Sequence, residues 1–376
     1  MARERTDRWV MHGLFAVAFL GVAYVLLSDF WGESFALDAM VNYGESVSFH
    51  EGGLAGLLRD RGGSTPPPLV YLLSGLGFAL FGPGPIGVQV VGVLLLWSVG
   101  HCCLALLSSC TDRWSALLGA LAVRLTPLLV IAFFHLMSEA LIVAGMLWLA
   151  YALVVRRSLG LATIPCASLA LVKQTAVAVV AAAAISCVAL DPLRCVTRAA
   201  RLRAAALLCL AYAATAAIWL FVLASKGGRT WDSQILGVDA KDPYRALLLV
   251  LAGNPFASPF LRQNLENALL LNFHWVAALL AAASLALFGA RRAAGNERAR
   301  VLLLHVLLSG GLYALVVFPF PTWTIPRYSA PVVACLTLTA AIGFGAFTRA
   351  GITRRLPLVA LLVLLYSAER RSWDPL

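Results

Sequence analysis

Two carboxylates, Glu33 and Asp38, stand in the aromatic-rich segment Asp29-Phe-Trp-Gly-Glu33-Ser-Phe-Ala-Leu-Asp38, just past an apolar run. An acid at such a boundary has its pKa raised by desolvation and can act as a general base toward a hydroxyl. The plainer reading of each is a solvated loop carboxylate. If the segment is helical, the two lie about 140° apart around it, so at most one faces a substrate.

Two cations complement them. Lys173 sits in Leu171-Val-Lys173-Gln174-Thr175-Ala176, a predicted turn among apolar residues, and Arg327 begins a late helix in Pro326-Arg327-Tyr328. Either could hold a phosphate, arginine through a planar bidentate fork and lysine as a point charge. Interfacial snorkelling is the alternative for both. Arg124 lies inside Ala122-Val-Arg124-Leu-Thr126-Pro127, in the middle of an apolar run. A charge at the centre of a membrane span costs about 2.5–3.5 kcal/mol, so it must face a cavity or a partner. Pro127 can kink that helix and release backbone acceptors for the guanidinium; a structural ion pair would also satisfy it. Glu139 follows Ser138 at a helix start, where Ser138 would cap and the acid would favour the positive terminus by about 0.3–1 kcal/mol. His135 lies one turn earlier, but a His135/Glu139 metal pair would need further ligands.

The elements that position these residues are membrane spans. Of 376 residues 61% are hydrophobic and 12% charged, with mean hydropathy +0.86. A water-facing surface needs roughly twice that charge, and a disordered chain far fewer apolar residues, so both classes are excluded. The net charge of +11 does not point to nucleic acid, because the arginines cluster in short segments between apolar runs. Crossings are expected at roughly 9–28, 85–109, 114–134, 139–155, 159–173, 175–190, 204–224, 273–290, 301–318, 327–347 and 355–368, about 11 transmembrane helices in an all-α polytopic membrane protein. The first is too long for a signal-peptide core and lacks a small-x-small cleavage site. The run 66–82, with its proline start and glycines, reads as an interfacial helix in the first outer loop.

With the N-terminus cytoplasmic, the inner segments hold 17 arginines against five acids, while the outer segments hold eleven basic and thirteen acidic residues. Counting 66–82 as a crossing would put most arginines outside, against the positive-inside rule. The single domain 1–376 then has two long outer loops, 29–84 and 225–272, and no separate soluble domain. A shaped polar pocket belongs on that outer face. In the second loop, Asp242-Pro-Tyr244-Arg245 starts a predicted interfacial helix, and Trp231 and Tyr244 could stack on a sugar or serve as ordinary interfacial aromatics. The eight cysteines show neither a CxxC pair nor a disulfide framework.

The order of motifs resembles the GT-C glycosyltransferases, a superfamily that includes protein mannosyltransferases and bacterial transferases using polyprenyl-phosphate-linked sugars. The similarity runs through Trp31-Gly-Glu33-Ser-Phe35, then Pro67-Pro68-Leu69-Val-Tyr71-Leu-Leu ending in Leu80-Phe81-Gly82. It continues through Thr126-Pro127 with Met137-Ser138-Glu139-Ala140, through Lys173-Gln174-Thr175-Ala176, and through Pro326-Arg327-Tyr328 with Pro331. The family's frequent His before Pro-Pro is replaced here by Thr65 or Pro66, and its Asp or Asp-Glu pair by Glu33-Ser34.

The resemblance implies transfer of a sugar from a polyprenyl-phosphate carrier to a lipid or cell-envelope glycan acceptor at the outer face. Glu33 or Asp38 would be the base, with Arg327, Lys173, Arg124, Glu139 and Tyr328 as substrate- or phosphate-binding residues. The chemistry is consistent: a phosphate leaving group needs cations rather than a general acid, and the attacking hydroxyl needs one carboxylate. Two close carboxylates would instead belong to a retaining glycosidase. No cofactor is implied, and a divalent metal stays compatible. The partners are the donor, the acceptor and membrane lipid, with no nucleic acid. The bias of 26 Arg to 3 Lys fits a GC-rich bacterium and hence its plasma membrane. A transporter or flippase of polyprenyl-linked glycans, or a non-catalytic relative that binds carrier lipid, is the alternative.

Overall fold

The computed structural model describes residues 10–18, 20–21, 37–60, 67–227, 259–270, 274–290, 296–318, 326–347 and 356–360, and every regular element among them is helical. In chain order these are α1 (10–18 and 20–21), α2 (Leu37–Asp60), α3 (Leu69–Phe81), α4 (Pro85–Ser108), α5 (Arg113–Arg124), α6 (Pro127–Phe134) and α7 (Ser138–Ala150), which continues as a π turn over Tyr151–Val155. Then come α8 (Leu159–Ala170), α9 (Val177–Ala189, entered through the 3-10 turn Gln174–Ala176), α10 (Arg198–Ser225), α11 (Pro259–Leu270), α12 (His274–Ala290), α13 (Glu297–Val317) and α14 (Ala330–Phe347).

Among the described residues, four helices are long and apolar enough to cross a bilayer alone: Pro85–Ser108, Ser138–Val155, Arg198–Ser225 and Glu297–Val317. The apolar length makes the chain an integral membrane protein. The expected crossing at 114–134 is a broken one, because α5 and the following helix Leu128–Phe134 bend by 64°. The break falls at Leu125-Thr126, and Pro127 occupies the first position of α6. Proline is at home there, since its missing N–H would find no helical partner. The expected crossings at 159–173 and 175–190 are the shorter helices Leu159–Ala170 and Gln174–Ala189. The first expected crossing is helical over 10–18 and 20–21 and the last over 356–360, with the remainder outside the described residues.

The helices alternate between two ends of the bundle. Ser138–Val155 has 18 residues, about 27 Å of rise, so Glu139 and Arg157 mark opposite ends of one span. At the arginine-rich end, helices begin with side-chain caps. Asp112 accepts from Trp114 N and Ser115 N, Ser158 from Leu161 N, Thr197 from Ala200 N and Asn296 from Ala299 N. Asn296 also donates to Cys110 O at 2.7 Å, which ties the start of α13 to the α4–α5 turn. At the other end α3, α4 and α7 start at Pro68, Gly84 and Met137 with no side-chain cap. The expected cap Ser138 is therefore corrected to Met137: the chain is already helical at Ser138 and its hydroxyl lies past the capping position.

α2 and α3 sit at this uncapped end. α2 breaks at Gly53 (φ 57, ψ −150), a conformation essentially confined to glycine. The second half folds back, so that Ser48 bonds Asp60. α3 is 13 residues long and lies against the start of α4. The contact is backbone to backbone, since a Cβ on Gly77 would meet Gly87 O at 2.4 Å. Tyr71 donates to Glu45 Oε2 at 2.7 Å with both side chains buried, and Phe78 meets Tyr43 and His50 edge-on.

Candidate functional site

Three of the residues singled out in the sequence converge. Lys173 Nζ donates to Glu139 Oε1 at 2.8 Å, and the same ammonium lies 4.1 Å from the centre of the Tyr328 ring. Glu139 is fully buried, Tyr328 nearly so, and the Lys173 side chain is 14% exposed. The lysine therefore keeps a small part of its side chain exposed while its charge is held from two sides, by a carboxylate and by a ring face.

Each element has a local reason to deliver its residue here. Leu136 takes a left-handed backbone (φ 49), which costs an ordinary residue about 1–2 kcal/mol and reverses the chain between α6 and α7. That reversal puts Glu139 in the first turn of α7, where the positive helix end stabilises its charge. Lys173 is fully extended (φ −167, ψ 149) between α8 and the 3-10 turn into α9. Tyr328 comes from the 3-10 turn Pro326–Ser329 that leads into α14. The start of α3 joins the same place, because Leu69 N donates to Leu171 O at 2.8 Å. The Pro-Pro-Leu element is thus pinned beside the segment that carries Lys173.

Arg327 is in the same 3-10 turn as Tyr328, and Asp38 is in the first turn of α2; their positions are known through the backbone. Glu33, Trp31, Trp231, Asp232 and the expected interfacial helix from Asp242 lie outside the described residues. Arg124 comes from another helix. It ends α5, is 1% exposed, and its guanidinium carbon lies 5.6 Å from the Phe15 ring centre of α1. α5 has 12 residues, about 18 Å, so Arg124 sits near mid-depth of a core about 30 Å thick. The negative C-terminal end of α5 favours the cation there.

Among the described residues no three His, Cys, Asp or Glu side chains gather as metal ligands. His135 caps the end of α6, and Glu139 pairs with Lys173. Sequence reasoning missed the buried Glu45–Tyr71 bond that fixes α2 on α3. It also missed the stacked His12–His101 pair, whose Nδ1 atoms lie 2.9 Å apart. Both are contacts between distant segments, and spacing along the chain carries no signal for them.

In fold, the chain is similar to the crystal structure of ArnT from Cupriavidus metallidurans bound to undecaprenyl phosphate, with a TM-score of 0.56 and 16% sequence identity. The similarity covers 90% of this chain and 60% of that one. No protein-family model matches the sequence, and no curated protein matches it at the level of sequence. At this identity the likeness is one of fold: an all-helical, ArnT-like arrangement.

Proposed function

We propose that the protein is a membrane glycosyltransferase that moves a hexose or pentose from a polyprenyl-phosphate carrier to a lipid or cell-envelope glycan, at the outer face of a bacterial plasma membrane. The reading rests on one observation above the rest: at one end of an ArnT-like bundle, Glu139 and Tyr328 hold the ammonium of Lys173 in place at a partly open position. A cation fixed before the substrate arrives needs no reorganisation when charge develops on a leaving phosphate.

In the proposed reaction the acceptor hydroxyl oxygen attacks the anomeric carbon, and the bond from that carbon to the phosphate oxygen breaks. The electron pair stays on the polyprenyl phosphate, where Lys173 and Arg327 neutralise it. The hydroxyl proton passes to Glu33 or Asp38. One displacement inverts the anomeric centre. Tyr328 orients the lysine through its ring face, and the uncapped start of α7 adds positive potential at the same place. A divalent metal on the carboxylates is compatible with this scheme and supplies none of its steps.

Membranes containing the full chain, given labelled polyprenyl-phosphate hexoses and pentoses, test the reading. The expected outcome is label in a lipid or glycan product that is lost in Lys173→Met. Absence of transfer from every donor, with the protein present and folded, overturns it. The broken α5–α6 span with Arg124 at the break favours a second reading, since transporters place charges at interrupted helices near mid-membrane. Movement of labelled donor across a vesicle membrane with no sugar transfer would select that one.

A further inference from the structure

At the end of the bundle opposite Lys173, a small open cleft is lined by Arg157, Arg194 and Arg298, by Asp191 and Glu297, and by the apolar Val154, Pro192 and Val301. The three cations come from separate segments: Arg157 follows the π turn of α7, Arg194 lies between α9 and α10, and Arg298 is in the first turn of α13. Both carboxylates in the lining are engaged. Glu297 accepts from Arg194 at 2.6 Å, and Asp191 is bound by Arg201 at 2.9 Å and by Cys195 N at 2.8 Å. Neither Arg157 nor Arg298 makes a hydrogen bond or ion pair among the described residues, and Arg157 Nε is buried without a partner.

We propose that this cleft binds a phosphate group, carried by the headgroup of an anionic membrane lipid or by a soluble phosphate. The geometry meets that chemistry in three ways. Guanidinium forks match phosphate oxygens through paired charge-assisted hydrogen bonds. Like charges are crowded: burial first, then Arg194 and Arg298, push the Arg157 guanidinium below the usual arginine range against the smaller opposing pull of Glu297, and a bound anion relieves that repulsion. The backbone is also set for the arrangement, because Arg157, Asp191 and Arg194 all hold left-handed conformations (φ 49, 49 and 55) that ordinary residues avoid unless their surroundings impose them. The three arginines together with Val154, Pro192 and Val301 give the cleft both charged and apolar lining, as a headgroup joined to a glycerol requires. The site is about 27 Å from Glu139 along α7 and does not depend on the transferase reading.

Calorimetric titration of the detergent-purified full chain tests it, with short-chain phosphatidylglycerol, short-chain phosphatidylcholine and inorganic phosphate as probes. The expected result is saturable binding of phosphatidylglycerol, weakened about tenfold or more in Arg157→Gln and in Arg298→Gln. Arg203→Gln, which removes one exposed arginine outside the cleft, should leave binding within about twofold. Inorganic phosphate binding as tightly as the lipid identifies a soluble phosphate as the natural source, and much weaker phosphate binding identifies the lipid. No binding of either phosphatidylglycerol or phosphate overturns the proposal. So does equal binding of phosphatidylcholine, or an equal loss in Arg203→Gln. Arg298 is exposed, so its variant tests the site even if Arg157→Gln fails to fold.

Discussion

Lys173 Nζ and Glu139 Oε1 are 2.8 Å apart across 34 residues of chain, with side chains 14% and 1% exposed. Each was a candidate on its own, and together they form one buried pair that locks the α8–α9 turn to the first turn of α7. Removing one partner leaves a buried charge behind, so Glu139→Gln and Lys173→Met are each expected to cost about 3–5 kcal/mol of stability. The double variant should cost less than the sum of the two by about 1–3 kcal/mol. Thermal unfolding of the four proteins in one detergent measures the coupling. Strictly additive losses would show that the two groups do not hold each other.

The base is expected to be a single carboxylate. Glu33→Gln and Asp38→Asn, assayed separately for transfer from labelled polyprenyl-phosphate sugars, should divide sharply. One should fall by about 10²–10⁴-fold, the range for a general base, while the other stays near wild type. Full activity in both variants would place the base elsewhere, and the buried Glu45 that holds Tyr71 is the next acid to replace.

The spans and the candidate cluster were readable because they rest on local signals. Apolar run length marks α4, α7, α10 and α13, and the side-chain caps Asp112, Ser158, Thr197 and Asn296 stand where the sequence places short polar residues before apolar runs. Glu139 and Lys173 were singled out because each places a charge at a helix start or turn among apolar residues, and Tyr328 because Pro326-Arg327-Tyr328 with Pro331 resembles a family motif. Their pairing was not readable, since it depends on α7, the α8–α9 turn and the start of α14 meeting in space. The same holds for the cleft of Arg157, Arg194 and Arg298. In the sequence these arginines fit ordinary inner-face anchoring, and the left-handed turns that gather them have no glycine to announce them. Ser138 was misread because Met137, an unusual cap, starts α7 one residue earlier.

Arg124 should resist conservative replacement. Its buried guanidinium lies over Phe15 at the end of α5, a site that suits a planar, weakly hydrated cation better than a compact ammonium. Arg124→Lys is therefore expected to destabilise the protein nearly as much as Arg124→Gln. In a cycle with Phe15→Leu the coupling should be about 1–2 kcal/mol. Unfolding temperatures across the series decide the matter, and a stable Arg124→Lys would remove the ring contact as the reason arginine is there.

The native cysteines report which end of the bundle faces the cytoplasm. All eight are free thiols. Cys195 is partly exposed in the segment between α9 and α10, at the arginine-rich end, and Cys110 is buried in the α4–α5 turn at the same end. Burial pushes the Cys110 thiol up to about 12. The thiolate is the reactive form, so at pH 8 the buried Cys110 stays protonated and inert, while the partly exposed Cys195 is within reach of a reagent in water. Cys209 is exposed on the apolar helix α10, where bilayer lipid rather than water meets it. A membrane-impermeant maleimide, followed by peptide mapping, should therefore modify Cys195 in opened vesicles and Cys110 only after denaturation. With the arginine-rich end inside, intact cells should show no labelling of Cys195. Labelling there would place that end outside, and would move the Lys173–Glu139–Tyr328 cluster to the cytoplasmic face.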